Sequence, residues 1–526
     1  MSTPLWITAT PPDSDGELHI GHLAGPYVAA DVLNRHLRAD GRPVLFTTGT
    51  ADHADSVEVR ALRSGREPKD VAEGFRTAIT ADWRHSGVEF DRVVQPDRDR
   101  GYQRWLQDLF LDLYAQDIIA PRTRLLPHCE ACDRWLYGAR VTGACPHCGA
   151  HGNGGLCSTC ARPNDGDLID PVCVRCDSPG RPRRCRRLYL FLEPLREQLA
   201  DHWRSAALPP RLALLCENLI EDGLPDVAVG HPGDWGVPVP VDGFPGHRIS
   251  TCFETAAMHL FSYGYDRKPL PERSIHFCEF RHSFHHVVLL PAILVARGVK
   301  LPQELHVNET YGIDAESAKG PDGRPMVWAL DLLTEFGSDT LRRHVLQTRP
   351  LGRRTDFRRD ELHRTQQILD GTWNSWLSRL FVAVREDCAG QVPDVEPGGD
   401  GWDALRHRLH RAAEDLREAY GPDAFDPRRA VSVLDEVVRC TVDFGYVNAF
   451  ERRRPSGTGR HLPAIMAQLA VASALTSWAW PVMPEGAGRL ALALRISPGG
   501  PVAPEALTPP APGTQLAPSS APVFGF

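Results

Sequence analysis

Two sets of residues in this chain have types and spacing that can do chemistry. Two histidines three apart, His19 and His22, stand where an apolar run hands over to a helical pattern. Eight cysteines further on form four CxxC pairs. The histidines close residues 5–22, LWITATPPDSDGELHIGH, in which a strand-length apolar run is followed by a Pro/Asp/Gly turn. A spacing of three puts both imidazoles on one side of a first helical turn. Gly21 between them has no side chain, so a flat ring or a phosphate can approach the backbone there. The free N–H groups and positive dipole end of the helix favour an anion. The stretch therefore reads as a nucleotide site.

The elements around it must hold these residues in place. Residues 5–9 read as a strand, and Leu23, Val28, Val32, Leu33 and Leu37 fall on one face of the helix that follows. Residues 43–48 make a second strand ending at Gly49-Thr50-Ala51-Asp52-His53. Ligands of open α/β sheets bind at the carboxyl ends of strands, so Asp52, His53 and Asp55 are expected to face the crevice with His19. Alternating strands and helices define residues 1–120. A Cys/Gly/Pro-rich segment, 121–187, interrupts the pattern, and strand and helix signals resume over 188–345. Residues 346–497 read as helical, and 498–526, rich in Pro, Ala and Ser, as an extended strap or disordered tail. The expected fold is α/β: a Rossmann-like parallel sheet split by an insertion and followed by a helical bundle.

Composition is that of a globular chain, 42% hydrophobic and 24% charged, and the net charge of −8 gives no global attraction to nucleic acid. With no apolar stretch of membrane-spanning length and no basic-then-apolar leader, the expectation is a cytoplasmic protein with no membrane partner. The cysteine pairs are Cys129/Cys132, Cys145/Cys148, Cys157/Cys160 and Cys173/Cys176. Each can grip a tetrahedral metal from a tight turn, and two pairs make a closed Cys₄ zinc site with no open position. Two structural zinc ions are expected. The remaining six cysteines read as small buried apolar residues.

The His19-Ile20-Gly21-His22 motif resembles the signature of class I aminoacyl-tRNA synthetases. With the four-CxxC insertion and the helical end, the chain is similar to the methionyl-tRNA synthetase family over roughly residues 3–495. Residues 46–53 (FTTGTADH), 234–239 (DWGVPV), Phe284, His285, Pro291 and Asp356-Phe357 add to the resemblance. It implies that the inner knuckles (Cys145, Cys148, Cys157, Cys160) and the outer ones (Cys129, Cys132, Cys173, Cys176) pair separately. It also implies that His19 and His22 stabilise the phosphates of ATP, with Mg²⁺, while an amino-acid carboxylate attacks the α-phosphate.

Several family positions are altered. The stretch matching the lysine-rich KMSKS loop is Asp314-Ala315-Glu316-Ser317-Ala318-Lys319-Gly320. Ser317 and Gly320 remain as ATP contacts, and Lys319, one of four lysines in the chain, as a catalytic cation. The family's α-ammonium aspartate is Ala51 here, with Asp52 next to it. The positions that grip a methionine side chain are Asp13, Cys252 and His259, and Glu279 replaces a lysine near the adenosine. Ser456 follows Pro455 where the family stacks an anticodon base on tryptophan.

These changes suggest a repurposed ligase that activates an amino acid with ATP and passes it to a small-molecule acceptor. Similar proteins, the hydrazine synthetases of specialised metabolism, join an amino acid to an N-hydroxylated one ahead of a zinc cupin. No cupin segment occurs here, so a separate partner is expected. Asp13, Asp52, His259, Arg281 and His285 are the expected substrate-binding residues. The alternatives are an inactive synthetase fold acting as a binding protein, and an ordinary methionine–tRNA ligase.

Overall fold

The computed structural model describes residues 4–300, 302–313, 327–452 and 461–525. Five parallel strands form the central sheet, in the order Gln303–Asn308, Ser274–Glu279, Leu5–Ala9, Val44–Gly49, Arg92–Val94. Leu5–Ala9 suits the middle position because it is mainly apolar and buried at all five residues, on both faces. Ile7 lies between Ile275 on one side and Phe46 on the other. The chain leaves Leu5–Ala9 toward Val44–Gly49, and the later strands build on the opposite edge. The carboxyl ends of Leu5–Ala9 and Ser274–Glu279 thus border the crevice where the strand order reverses, the place where doubly wound sheets take ligands.

The five apolar positions read along the helix after His22 are all buried, at 0–1% exposure. That helix is interrupted at Gly25 and Pro26 and runs regularly over Val28–Ala39. The insertion leaves the sheet on a long antiparallel ribbon, Ile119–Cys129 against Arg181–Phe191. Leu188–Phe191 therefore belongs to this ribbon, and the parallel sheet resumes only at Ser274. Helices Arg359–Ile368 through Pro484–Leu494 form the carboxyl-terminal part. The buried Arg342 guanidinium locks this part to the first helix: it donates to Asp31 (2.7 Å) and to the carbonyls of Ser86, Pro481 and Val482.

Near its end the chain docks back on the helical part. Phe524 is fully buried against Trp373, and the Asn374 side chain bonds the backbone of Val523 and Phe524. No helix among the described residues is long and apolar enough to cross a membrane.

Candidate functional site

The proline turn after Leu5–Ala9 is pinned to the end of the second strand: Ala51 N–H donates to the Pro12 carbonyl (2.9 Å), and Asp13 bridges to Ala51. From there the chain enters the helix through His19, whose Nδ1 accepts the Gly21 N–H (3.1 Å). His22 Nδ1 in turn accepts the His19 N–H (3.1 Å). A backbone N–H can only donate, so both Nδ1 atoms are acceptors and both imidazoles carry their proton on Nε2. Burial lowers the His19 pKa to about 4, helped by the Arg281 charge, and holds His22 well below its usual range. The ring centroids lie 3.9 Å apart with the planes tilted by 36°. The result is a pair of neutral N–H donors fixed in place by the backbone. Gly21 matters here for a different reason than the sequence suggested: an added Cβ would lie 2.8 Å from His19 Cε1, so the missing side chain makes room for the His19 ring itself.

Both histidines line a cleft of about 1440 Å³, with Thr10, Asp13, Asp15, Arg281, Thr310, Tyr311 and Trp328 among its walls. Ser317, Lys319 and Gly320 lie outside the described residues, as does Ser456. Ile313 and Trp328, on the two sides of residues 314–326, both line the cleft.

A smaller cavity of about 180 Å³ shares Thr10, Pro11, Asp13, Ser56, Asn153, Arg281 and His282 with the cleft. Of the expected substrate residues, Asp13, Arg281 and His285 line it. Asp52 and His259 do not. Asp52 is fully buried behind the turn and is held by Arg76 (2.7 Å), the Ser14 hydroxyl (2.8 Å) and the Asp97 N–H (3.3 Å). His259 follows Cys252 and Thr255 on one helical face, but it sits one turn deeper, bonded to Thr8 under the sheet. His53 is likewise turned inward, onto Glu254 (2.9 Å). Sequence reasoning did not find His231, His282 or Asp165, which reach the cavity from later segments. None of the three stands in a motif that marks it: His231 is on the short strand Gly230–Pro232, His282 on the Phe280–His282 turn next to Arg281, and Asp165 inside the insertion.

The eight cysteines gather as two sets, Cys129/Cys132/Cys173/Cys176 and Cys145/Cys148/Cys157/Cys160, with the sulfurs of each set within 4.8 Å of one another. Resolved Sγ–Sγ separations are 3.3–3.8 Å. Four thiolates about 2.3 Å from a tetrahedral zinc would be about 3.8 Å apart, so the sets fit that ion. The residue after each second cysteine (Asp133, Gly149, Ala161, Asp177) has a left-handed φ of 50–73°, which closes each knuckle around its sulfurs.

Residues 5–380 match the family described as tRNA synthetases class I (M). A methionine–tRNA ligase of Methanosphaera stadtmanae is 28% identical over 404 residues, covering 74% of this chain and 59% of the relative. One from Dehalococcoides mccartyi is 29% identical over 412 residues, 73% of this chain and 72% of the relative. The chain spans about three fifths of the length of the archaeal relatives it matches, 59% and 61%. The methionyl-tRNA synthetase of Mycobacterium tuberculosis, solved with methionyl-adenylate, has a similar fold, with a TM-score of 0.80 at 19% identity and all of both chains covered.

Proposed function

The chain belongs to the class I tRNA synthetases (M), and on that premise we propose that it is an ATP-dependent ligase that activates an amino acid as its adenylate. The observation that carries this reading is the pair of Nε2–H donors on His19 and His22 at the crevice between the two central strands. In the reaction, a carboxylate oxygen forms a bond to the α-phosphorus and pyrophosphate leaves. Donors fixed before the reaction stabilise the charge that builds on the phosphate oxygens without reorganising. Being neutral, the two imidazoles avoid the cost of burying cations in the absence of ATP. Mg²⁺ would neutralise the triphosphate, and Asp15, Glu17 and Asp331 are carboxylates of the cleft lining suited to a hard cation. Lys319 is proposed as the further cation on the leaving pyrophosphate, and zinc as the structural ion of both thiolate sets.

An acceptor oxygen then attacks the acyl carbonyl and AMP departs. The names of the relatives favour tRNA as that acceptor and methionine as the amino acid. They give no support to a small-molecule acceptor or a cupin partner. One observation favours an amino acid other than methionine: beside apolar residues such as Leu156 and Val227, the cavity wall carries three carboxylates, Asp13, Asp55 and Asp165, and the imidazoles of His231, His282 and His285.

Amino-acid-dependent exchange of pyrophosphate into ATP tests the activation step, and transfer of the activated acyl group to tRNA or to hydroxylamine tests the acceptor. Exchange that survives removal of both imidazoles would overturn the assignment of the site.

A further inference from the structure

The small cavity has an unbalanced charge. Asp13 enters it from the proline turn, Asp55 from the start of the Asp55–Ser64 helix and Asp165 from the insertion. The nearby cations are only partly available. Arg187 holds Asp165 through two bonds (2.9 and 3.2 Å), Arg140 is tied to Glu58 though its charge still acts on Asp55, and Arg281, whose Nε donates to His282 (2.8 Å) and lies 3.4 Å from Glu279, still acts on Asp13. Asp13 accepts only a neutral donor, the Ser56 hydroxyl (3.1 Å). Among the described residues Asp55 has no hydrogen-bond or ion-pair partner for its carboxylate. Burial accordingly raises Asp55 to about 7 and Asp13 to about 6. On the same wall His285, only 8% exposed, leaves its Nδ1 without a partner. Burial keeps this imidazole neutral, so Nδ1 can accept a hydrogen bond when the proton sits on Nε2. Asp55 and the His285 Nδ1 thus have no donor, Asp13 has only a hydroxyl, and neither carboxylate is ion-paired among the described residues.

These groups do not converge as the cysteine sulfurs do. Among the described residues only the two thiolate sets bring three or more potential ligand atoms within 4.8 Å of one another. A bare metal ion is therefore a poor occupant, and an extended cation with several N–H groups a good one. We propose that the cavity receives the side chain of the amino acid being activated, and that this side chain ends in an ammonium or guanidinium held by Asp55 and Asp13. The proposal rests on the adenylation reading above. A thioether would enter without charge or donors and leave both carboxylates uncompensated.

Pyrophosphate exchange with L-lysine, L-ornithine and L-arginine, set against L-methionine and L-glutamine, tests it, with calorimetric binding of the same amino acids in parallel. At least one basic amino acid should exceed methionine and glutamine by tenfold or more in kcat/KM. Asp55→Asn should cut that value about 10–100-fold through KM, with kcat nearly unchanged, since a side-chain contact binds ground and transition states alike. Asp13→Asn serves if Asp55→Asn does not fold. Exchange driven best by methionine or another uncharged amino acid overturns the cation proposal and leaves adenylation standing. If no amino acid drives exchange, the adenylation reading falls. Calorimetry then decides the cavity: binding of lysine or arginine that Asp55→Asn abolishes supports the cation site, and no binding removes it.

Discussion

Asp55→Asn also tests the electrostatics of the cavity without any substrate. Burial is the main cause of the rise of Asp55 from 3.8 to about 7. Arg140 opposes it, and the carboxylates of Glu58, Asp13 and Asp165 add to it. A carboxyl with a raised folded-state pKa binds its proton more tightly in the folded chain. Its contribution to stability is therefore fully present below pH 3.8 and is lost as the pH rises through about 7. Above that point the ionised side chain costs the fold about 4 kcal/mol at most, from roughly three pKa units at 1.36 kcal/mol each. Asparagine has nearly the same shape and no charge at any pH. The variant should therefore be more stable than the parent at pH 8, and the advantage should shrink between pH 7 and pH 4. Other shifted groups, such as Asp82 and Asp339 (raised) and His344 (lowered), are common to both proteins and cancel in the difference. Urea denaturation at pH 8, 6.5 and 5 reads the effect as a change in midpoint. A variant no more stable than the parent at pH 8, or an advantage independent of pH, would refute the picture of an uncompensated carboxylate.

Elemental analysis should find two zinc ions per chain, and chelation should loosen residues 121–187 to protease while the parallel sheet persists; less than one zinc per chain contradicts this. Arg342→Met should cost about 3 kcal/mol in chemical denaturation, because it strips three buried carbonyls of their donor while Arg35 (2.6 Å) still holds Asp31; a loss below about 1 kcal/mol contradicts the tie. Lys319→Ala should slow single-turnover pyrophosphate release about tenfold to a thousandfold, the loss of one preorganised donor, and an unchanged rate removes Lys319 from the reaction.

Local signals carried much of this molecule. The HIGH stretch could be read because strand, turn and helix follow one another within 5–22, and every apolar position chosen on the helix is buried. The cysteine knuckles could be read because CxxC spacing itself constrains geometry, while their nested pairing came from the family resemblance. What failed was the direction of side chains at chain reversals. Asp52 and Asp55 are three residues apart around one turn, yet one faces Arg76 in the interior and the other the cavity. His259 shares a helical face with Cys252 and Thr255, but its depth depends on where the helix passes beneath Thr8. Asp165 and His231 are brought to the cavity by the folding of the insertion and the segment after it, which no local pattern encodes.

The central claim is that the His19–His22 crevice activates a carboxylate with ATP. It is tested most directly by pyrophosphate exchange across the twenty amino acids in the parent protein and in His19→Ala. At least one amino acid should drive exchange in the parent, and His19→Ala should lower that rate about a hundredfold or more while the protein stays folded by circular dichroism. No exchange with any amino acid, or equal exchange in the two proteins, would contradict it.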